Sequence, residues 1–125
     1  MLNAYCLNQT VAANSSVPLT NIVIEKGCSV RLVSPSTINL NKKGVYAVAV
    51  DANSATAASI ALSRDGVIMP NTNMTGTSTG FTALVRVAED NTCCCCSAPV
   101  SLQLVNTGDA SATYSVVNVT VTKYC

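Results

Sequence analysis

Histidine and tryptophan are absent from this 125-residue sequence, and charged residues make up only 10% of it. Soluble domains usually contain about 25% charged residues. Without histidine the chain lacks the commonest general base and the commonest metal ligand. A serine or cysteine nucleophile would also lack its usual partner. These absences argue against an enzyme, and we expect neither catalytic residues nor a cofactor.

The charge of the chain is almost balanced. Seven Lys or Arg residues face six Asp or Glu residues, for a net charge of +1. This gives no electrostatic reason to expect binding to nucleic acid or to an anionic membrane. No apolar run approaches the roughly 18 residues of a membrane span. The first eight residues lack the basic and apolar regions of a signal peptide, so we expect a protein made in the cytosol.

Apolar residues nevertheless reach 49% of the chain, although it has one Phe and four Tyr. The uncharged polar residues are mainly Ser, Thr and Asn. Small and β-branched side chains of this kind are typical of closely packed strands. The shortage of charge also predicts that part of the surface is covered by other copies of the chain.

Apolar residues recur with a period of two, which indicates strands. Residues 44–51 are the clearest case, because both of their faces are apolar. The two faces are Tyr46, Val48 and Val50 on one side and Val45, Ala47 and Ala49 on the other. We predict a central strand that is covered on both sides.

About eight strands follow from the same pattern. Residues 58–64 and 67–69 flank Asp65-Gly66, a turn dipeptide, and predict a hairpin. Further strands are predicted at residues 19–24, 29–33, 81–87, 100–105 and 112–122. The polar stretches 52–58 and 71–80 are predicted to be loops. The spacing favours one all-β sandwich or jelly roll over residues 1–125, with residues 1–16 as an N-terminal attachment or edge segment.

Seven cysteines include an unbroken run, Cys93, Cys94, Cys95 and Cys96. Structural zinc sites space their ligands as separated pairs, so the run would need another cysteine or a second chain to bind metal. A reactive thiolate would want a nearby cation, whereas Glu89 and Asp90 precede the run. The favoured interpretation is small apolar side chains that fill a loop or a subunit contact. A zinc site and a redox site remain alternatives.

The order of segments resembles the tumour-necrosis-factor-like jelly rolls, which include complement-type globular heads and the heads of bacterial collagen-like proteins. Residues 37–48 resemble their strand, basic turn, Gly-x-Tyr and following strand. Residues 61–67 resemble the next hairpin, and residues 100–109 and 114–122 resemble the last two strands. The resemblance implies an antiparallel sandwich of eight to ten strands that assembles as a homotrimer.

Two residue assignments follow from this resemblance. Tyr46, Val48 and Tyr114 are the candidates for the interior of the trimer. In a jelly roll the first and last strands are usually neighbours, so Cys6 and Cys125 could approach each other and form a disulfide. The chain has no collagen-like stalk, so it would attach through its own N-terminal strand or base.

More narrowly, the chain resembles small head-decoration or fibre proteins of phages that infect Gram-positive bacteria. The shared features are an opening like residues 8–14, Gly27-Cys28, the cysteine-rich loop and a close like residues 119–122. The implied function is a structural capsid decoration or head-fibre protein on the virion surface. Its partners would be a major capsid or tail protein, and a host-surface glycan is a further candidate. The alternative is a carbohydrate- or ligand-binding head of a bacterial surface or spore-coat protein.

Overall fold

A computed structural model describes residues 1–87 and 100–124 of the chain. Within these residues the secondary structure is nine β-strands and one short 3-10 turn, Pro70–Thr72. The strands are β1 Leu2–Val11, β2 Asn21–Glu25, β3 Val30–Ser34, β4 Thr37–Leu40, β5 Gly44–Arg64, β6 Val67–Ile68, β7 Met74–Val87, β8 Val100–Val105 and β9 Ala112–Lys123. No helix in the described part of the chain is long and apolar enough to cross a membrane.

The strands form two antiparallel layers that share β5. In the first layer, sheet I, the order is β2-β1-β9-β5-β7. In the second, sheet II, the order is β3-β4-β8-β5-β6. β5 belongs to both layers, because residues 46–54 pair with β9 and residues 61–64 pair with β8. Its ladder with β7 shifts between these two parts, from Asn53 to Ala58. The predicted all-β antiparallel sandwich is confirmed.

Side chains that alternate along the strands fill the space between the two sheets. Sheet I contributes mostly valines and small residues together with Tyr46 and Tyr114, and sheet II contributes mostly leucines and isoleucines. From sheet I these are Leu2, Ala4, Cys6, Val48, Val50, Val85, Val87, Val117, Val119 and Val121; from sheet II they are Val30, Ile38, Leu40, Ile60, Leu62, Val100, Leu102 and Leu104. The period-two pattern of the sequence therefore marks the core faces of β7, β8 and β9 correctly.

The hairpin predicted around Asp65-Gly66 is present. Both residues have positive φ angles, 51° and 87°, as a two-residue turn between twisted strands requires. The Asp65 carboxylate accepts a hydrogen bond from the Ser101 amide at 2.9 Å, which fixes the turn against β8.

Two predicted loops are strands in the structure. Residues 52–58 belong to β5, and most of residues 71–80 belong to β7, where Ser78 pairs with Asn53 and Gly76 with Ala58. The polar composition misled because many of these residues, such as Thr56 and Ser78, are exposed although they belong to β5 and β7. Threonine, which is frequent here, is also a good strand former.

β1 is not an edge strand, so the edge alternative predicted for residues 1–16 does not hold, and attachment through this segment stays a prediction. β1 lies between β2 and β9, and it pairs with β9 from Leu2–Val121 to Val11–Ala112. The side chains of Leu2, Ala4 and Cys6 in β1 are buried in the core.

The end of the sandwich that carries the β1–β2 and β8–β9 loops is held together by Asn106. Its side chain is fully buried. The amide nitrogen donates to the carbonyl oxygens of Val11 at 3.0 Å and Ala110 at 3.1 Å, and its oxygen accepts from the Gly108 amide at 3.0 Å. One residue thus satisfies backbone groups of two loops.

Candidate assembly face

Four paired strands form most of the outward-facing side of sheet I, and we call its residues on β1, β9, β5 and β7 the assembly face. Its centre is small, because Ala47 and Ala49 point outward from β5. Ala49 lies beside Thr120 of β9 on one side and Thr82 of β7 on the other. A second backbone or side chain can therefore approach this part of the sheet closely.

Large apolar side chains flank that small centre. Leu84 of β7 is 63% exposed and stands next to Ala47. Leu7 of β1 is 51% exposed and stands next to Val116 of β9. Exposure of these two leucine side chains to water does not stabilise a monomer, because only buried apolar surface does so. The two leucines project from the face, and the alanines at its centre form a recess. Another copy of the chain can fit against this shape.

A cluster of polar side chains lies on the assembly face between β1 and β9. The Asn3 side-chain nitrogen lies 3.0 Å from three acceptors, the Asn118 Oδ1, the Val119 carbonyl oxygen and the Thr120 Oγ1. These side chains are half-buried already in one chain. Because the Asn3 amide group already has acceptors within one chain, it keeps these hydrogen bonds when a second surface covers it.

Charge is scarce on this surface. Among its described residues, Asp51 and Arg86 carry the charges, and they stand at different levels of the β5–β7 ladder. Asp51 pairs with Gly80, whereas Arg86 pairs with Val45. Depletion of charge is the compositional mark of the buried centre of a protein interface. The assembly face has that composition.

The residues predicted for the trimer interior, Tyr46, Val48 and Tyr114, do not belong to the assembly face, and their part in a trimer stays a prediction. Tyr46, Val48 and Tyr114 are completely or almost completely buried between the two sheets of a single chain. Tyr46 donates to the Lys42 carbonyl oxygen and Tyr114 to the Ser59 carbonyl oxygen, each at 2.6 Å. Their neighbours of opposite parity, such as Ala47 and Ala49, face outward. The sequence could not tell which apolar face of β5 points inward.

Burial raises the pKa of the Tyr46 and Tyr114 hydroxyls and of the Cys6 thiol above their usual values. A raised pKa means that the fold favours the protonated group, so its stabilisation is complete below the pKa of the unfolded chain. It is lost as the pH rises through the folded value.

We therefore expect the free energy of unfolding to fall from about pH 9 upward, where thiols and then phenols ionise in the unfolded chain. Urea titrations between pH 7 and pH 11 measure this. A Tyr114→Phe variant should show a shallower fall. An unfolding free energy that stays constant from pH 8 to pH 11 would contradict the burial of these groups.

The cysteine predictions are only partly accessible to the structure. Cys6 is a free, buried thiol that faces the core opposite Val117. Cys28 is free and exposed in the turn after β2. The run Cys93, Cys94, Cys95 and Cys96, and Cys125 as the second partner of the predicted disulfide, lie outside the described residues. No metal-binding group of His, Cys, Asp or Glu occurs within residues 1–87 and 100–124.

A shallow groove of about 270 Å³ lies on the outward side of sheet II. Its lining is formed by Asn14, Ser63, Gly66, Ile68, Gln103, Val105 and Thr107. These seven residues offer amides, hydroxyls and aliphatic carbons, and none of them is charged or aromatic. The groove therefore provides no acid, no base and no ring on which a sugar could stack.

Comparison with known proteins identifies the fold. No family model matches the sequence, and no curated protein matches it. Among solved structures, the globular domain of a zebrafish complement 1qA protein is similar with a TM-score of 0.69 at 10% identity, over 95% of this chain and 94% of that one. The chain has a tumour-necrosis-factor-like, C1q-like jelly roll.

Two further structures support the same jelly roll. Rabbit GITRL is similar with a TM-score of 0.57 at 12% identity, over 98% of this chain and 94% of that one. Murine APRIL has a TM-score of 0.56 at 9% identity, over 94% and 97%. The predicted tumour-necrosis-factor-like fold is confirmed. At these identities the similarity concerns the fold alone.

Proposed function

We propose that this protein is a non-enzymatic structural module that assembles with copies of itself through the assembly face. The observation that carries the proposal is a sheet surface with an alanine centre, exposed Leu7 and Leu84, and two charged side chains among its described residues. Burial of apolar area without burial of unpaired charge is the favourable combination in protein association.

The assembly is a closed trimer. Complement-type and tumour-necrosis-factor-like heads, which the sequence resembles, are homotrimers, and this chain has their jelly roll. A cyclic arrangement also suits the face, because Leu7 and Leu84 lie on opposite sides of the alanine centre. Two different parts of one surface can then meet in each contact, and a rotation of one third closes the ring.

The trimer decorates the surface of a virion and contacts a major capsid or tail protein. The support for this part is the resemblance of the sequence to small decoration and fibre proteins of phages of Gram-positive bacteria. The scarcity of titratable groups in the groove on sheet II agrees with a structural rather than a catalytic role.

Immunogold labelling of intact particles from the culture that produces the protein tests the virion location. We expect label on the particle surface, and quantitative mass spectrometry of the same particles should give a copy number divisible by three. Unlabelled particles, with the protein confined to the soluble fraction, would contradict the virion location. The molecular mass of the protein in that soluble fraction would then show whether it still assembles with copies of itself.

A further inference from the structure

The groove on the outward side of sheet II has a buried serine hydroxyl in its floor. Ser63 of β5 pairs with Gln103 of β8 on one side and with Ile68 of β6 on the other, so these three side chains point to the same side of the sheet. All three line the groove. Ser63 is only 3% exposed, and within the described residues its hydroxyl has no hydrogen-bond partner.

The oxygen of that hydroxyl is accessible from the groove. Among the described residues, every fully buried side-chain nitrogen or oxygen has a hydrogen-bond partner. Because the Ser63 hydroxyl has none, its oxygen keeps some accessible surface, and the groove is the space beside it. A polar group in this position has lost most of its hydration without a hydrogen bond in exchange. A ligand in the groove would supply the missing partner.

Other uncharged polar groups lie around the buried hydroxyl. The Gln103 side-chain nitrogen donates to the Thr37 hydroxyl at 3.0 Å, which orients the carboxamide and leaves its oxygen for a ligand. The Thr107 hydroxyl donates to the Asn73 side-chain oxygen at 2.8 Å, so its own oxygen can still accept. Asn14 contributes a second carboxamide from an exposed position. The groove therefore brings together two amides and two hydroxyls.

The floor of the groove offers side chains rather than backbone groups to a ligand. Residues 61–64 of β5 pair with residues 102–105 of β8, and both strands have a further partner on their other side. Their backbone groups are therefore used within sheet II, and an added peptide strand would find no free edge there. Ile68 and Val105 supply aliphatic walls. At Gly66 nothing lies within 4 Å of the position that a Cβ would take, so the groove is open at this turn.

We propose that this groove binds one ring of a neutral sugar through hydrogen bonds to its hydroxyl groups. Amide and hydroxyl side chains offer both donors and acceptors, as sugar hydroxyls do. An ionised ligand is disfavoured, because none of the seven lining residues can pair with its charge. The volume of about 270 Å³ lies just below the roughly 300 Å³ at which ligand sites usually begin, which suits a single ring. Contacts through the assembly face would leave this side of sheet II free.

Titration of the isotope-labelled full-length protein with the methyl glycosides of glucose, galactose and N-acetylglucosamine, followed by amide chemical shifts, tests the proposal. We expect saturable shifts at the groove residues for at least one sugar, with millimolar affinity. Ser63→Ala breaks no hydrogen bond of the chain, so the fold should persist while the affinity falls about fivefold. Asn14→Gly is a second variant with the same expectation, because glycine accepts the φ angle of 59° at this position.

Ser78→Ala is the matched control, because it removes a serine hydroxyl at an exposed position of β7 in sheet I. It should bind the sugar as the unmodified chain does. No saturable shift with any of the three sugars, or equal affinities of Ser63→Ala and Ser78→Ala, would overturn the proposal. Tighter binding of N-acetylneuraminic acid, which is ionised, or of a blocked serine tripeptide would assign the groove to another ligand class and overturn it as well. Light scattering on each variant reports self-assembly separately, so failure of one proposal is distinguishable from failure of the other.

Discussion

Ala49→Glu is expected to separate the assembled protein into monomers of 12.9 kDa without unfolding the jelly roll. Ala49 points outward between Thr120 and Thr82, so a longer side chain is accommodated in the free monomer. In the assembly the same carboxylate would be buried without a partner. An unpaired charge in an interface costs about 3 kcal/mol or more, which corresponds to a loss of affinity of at least about 100-fold.

Sedimentation velocity at a series of concentrations measures this loss, and circular dichroism checks the fold. Ala110→Glu is the matched control, because it adds the same charge at an exposed position of the β8–β9 loop, away from the assembly face. The control should assemble as the unmodified chain does. Equal association constants for the two variants would show that the contact between copies does not involve the centre of the assembly face.

Asn106→Leu is expected to lower the free energy of unfolding by about 3 kcal/mol. Leucine fills a similar volume but removes the donors to the Val11 and Ala110 carbonyl oxygens and the acceptor for the Gly108 amide. Each buried group left without a partner costs about 1–3 kcal/mol. For a domain of this size the thermal midpoint should fall by roughly 10 °C.

Urea unfolding measures the change, with Asn71→Leu as the control. Asn71 is exposed in the 3-10 turn, so its replacement should change the unfolding free energy by less than about 0.5 kcal/mol. A loss below about 1 kcal/mol for Asn106→Leu would mean that water or other groups satisfy the loops, and that Asn106 does not hold this end together.

The sequence predicted the strands whose two faces differ or whose ends carry a strong turn signal. Residues 100–105 and 112–122 alternate cleanly, and their buried valines and leucines were identified in advance. The Asp65-Gly66 turn placed β5 and β6 correctly, because only a few residue pairs accept the backbone angles that such a turn requires.

The sequence could not show which face of β5 points to the core, because both faces are apolar. A shift by one residue moves every side chain of a strand to the other face. The packing of the two sheets shows that Tyr46 and Val48 fill the core, whereas Ala47 and Ala49 face outward. The assembly face was missed for this reason. Its signal was the second apolar face of residues 44–51, which one chain does not fully cover.

The ends of β5 and β7 were missed for a different reason. Residues 53–58 and 74–80 are rich in Ser, Thr, Asn and Gly, and no local pattern distinguishes such a strand from a loop. Their pairing joins residues such as Asn53 and Ser78, which are distant in sequence. Tertiary contacts therefore override the local preference.

Sedimentation equilibrium of the full-length protein tests the central proposal most directly, because it measures the mass of the assembly independently of its shape. We expect a single species of about three times the 12.9 kDa chain mass at micromolar concentration. A species of 12.9 kDa over the whole accessible concentration range would contradict self-assembly through the outward side of sheet I.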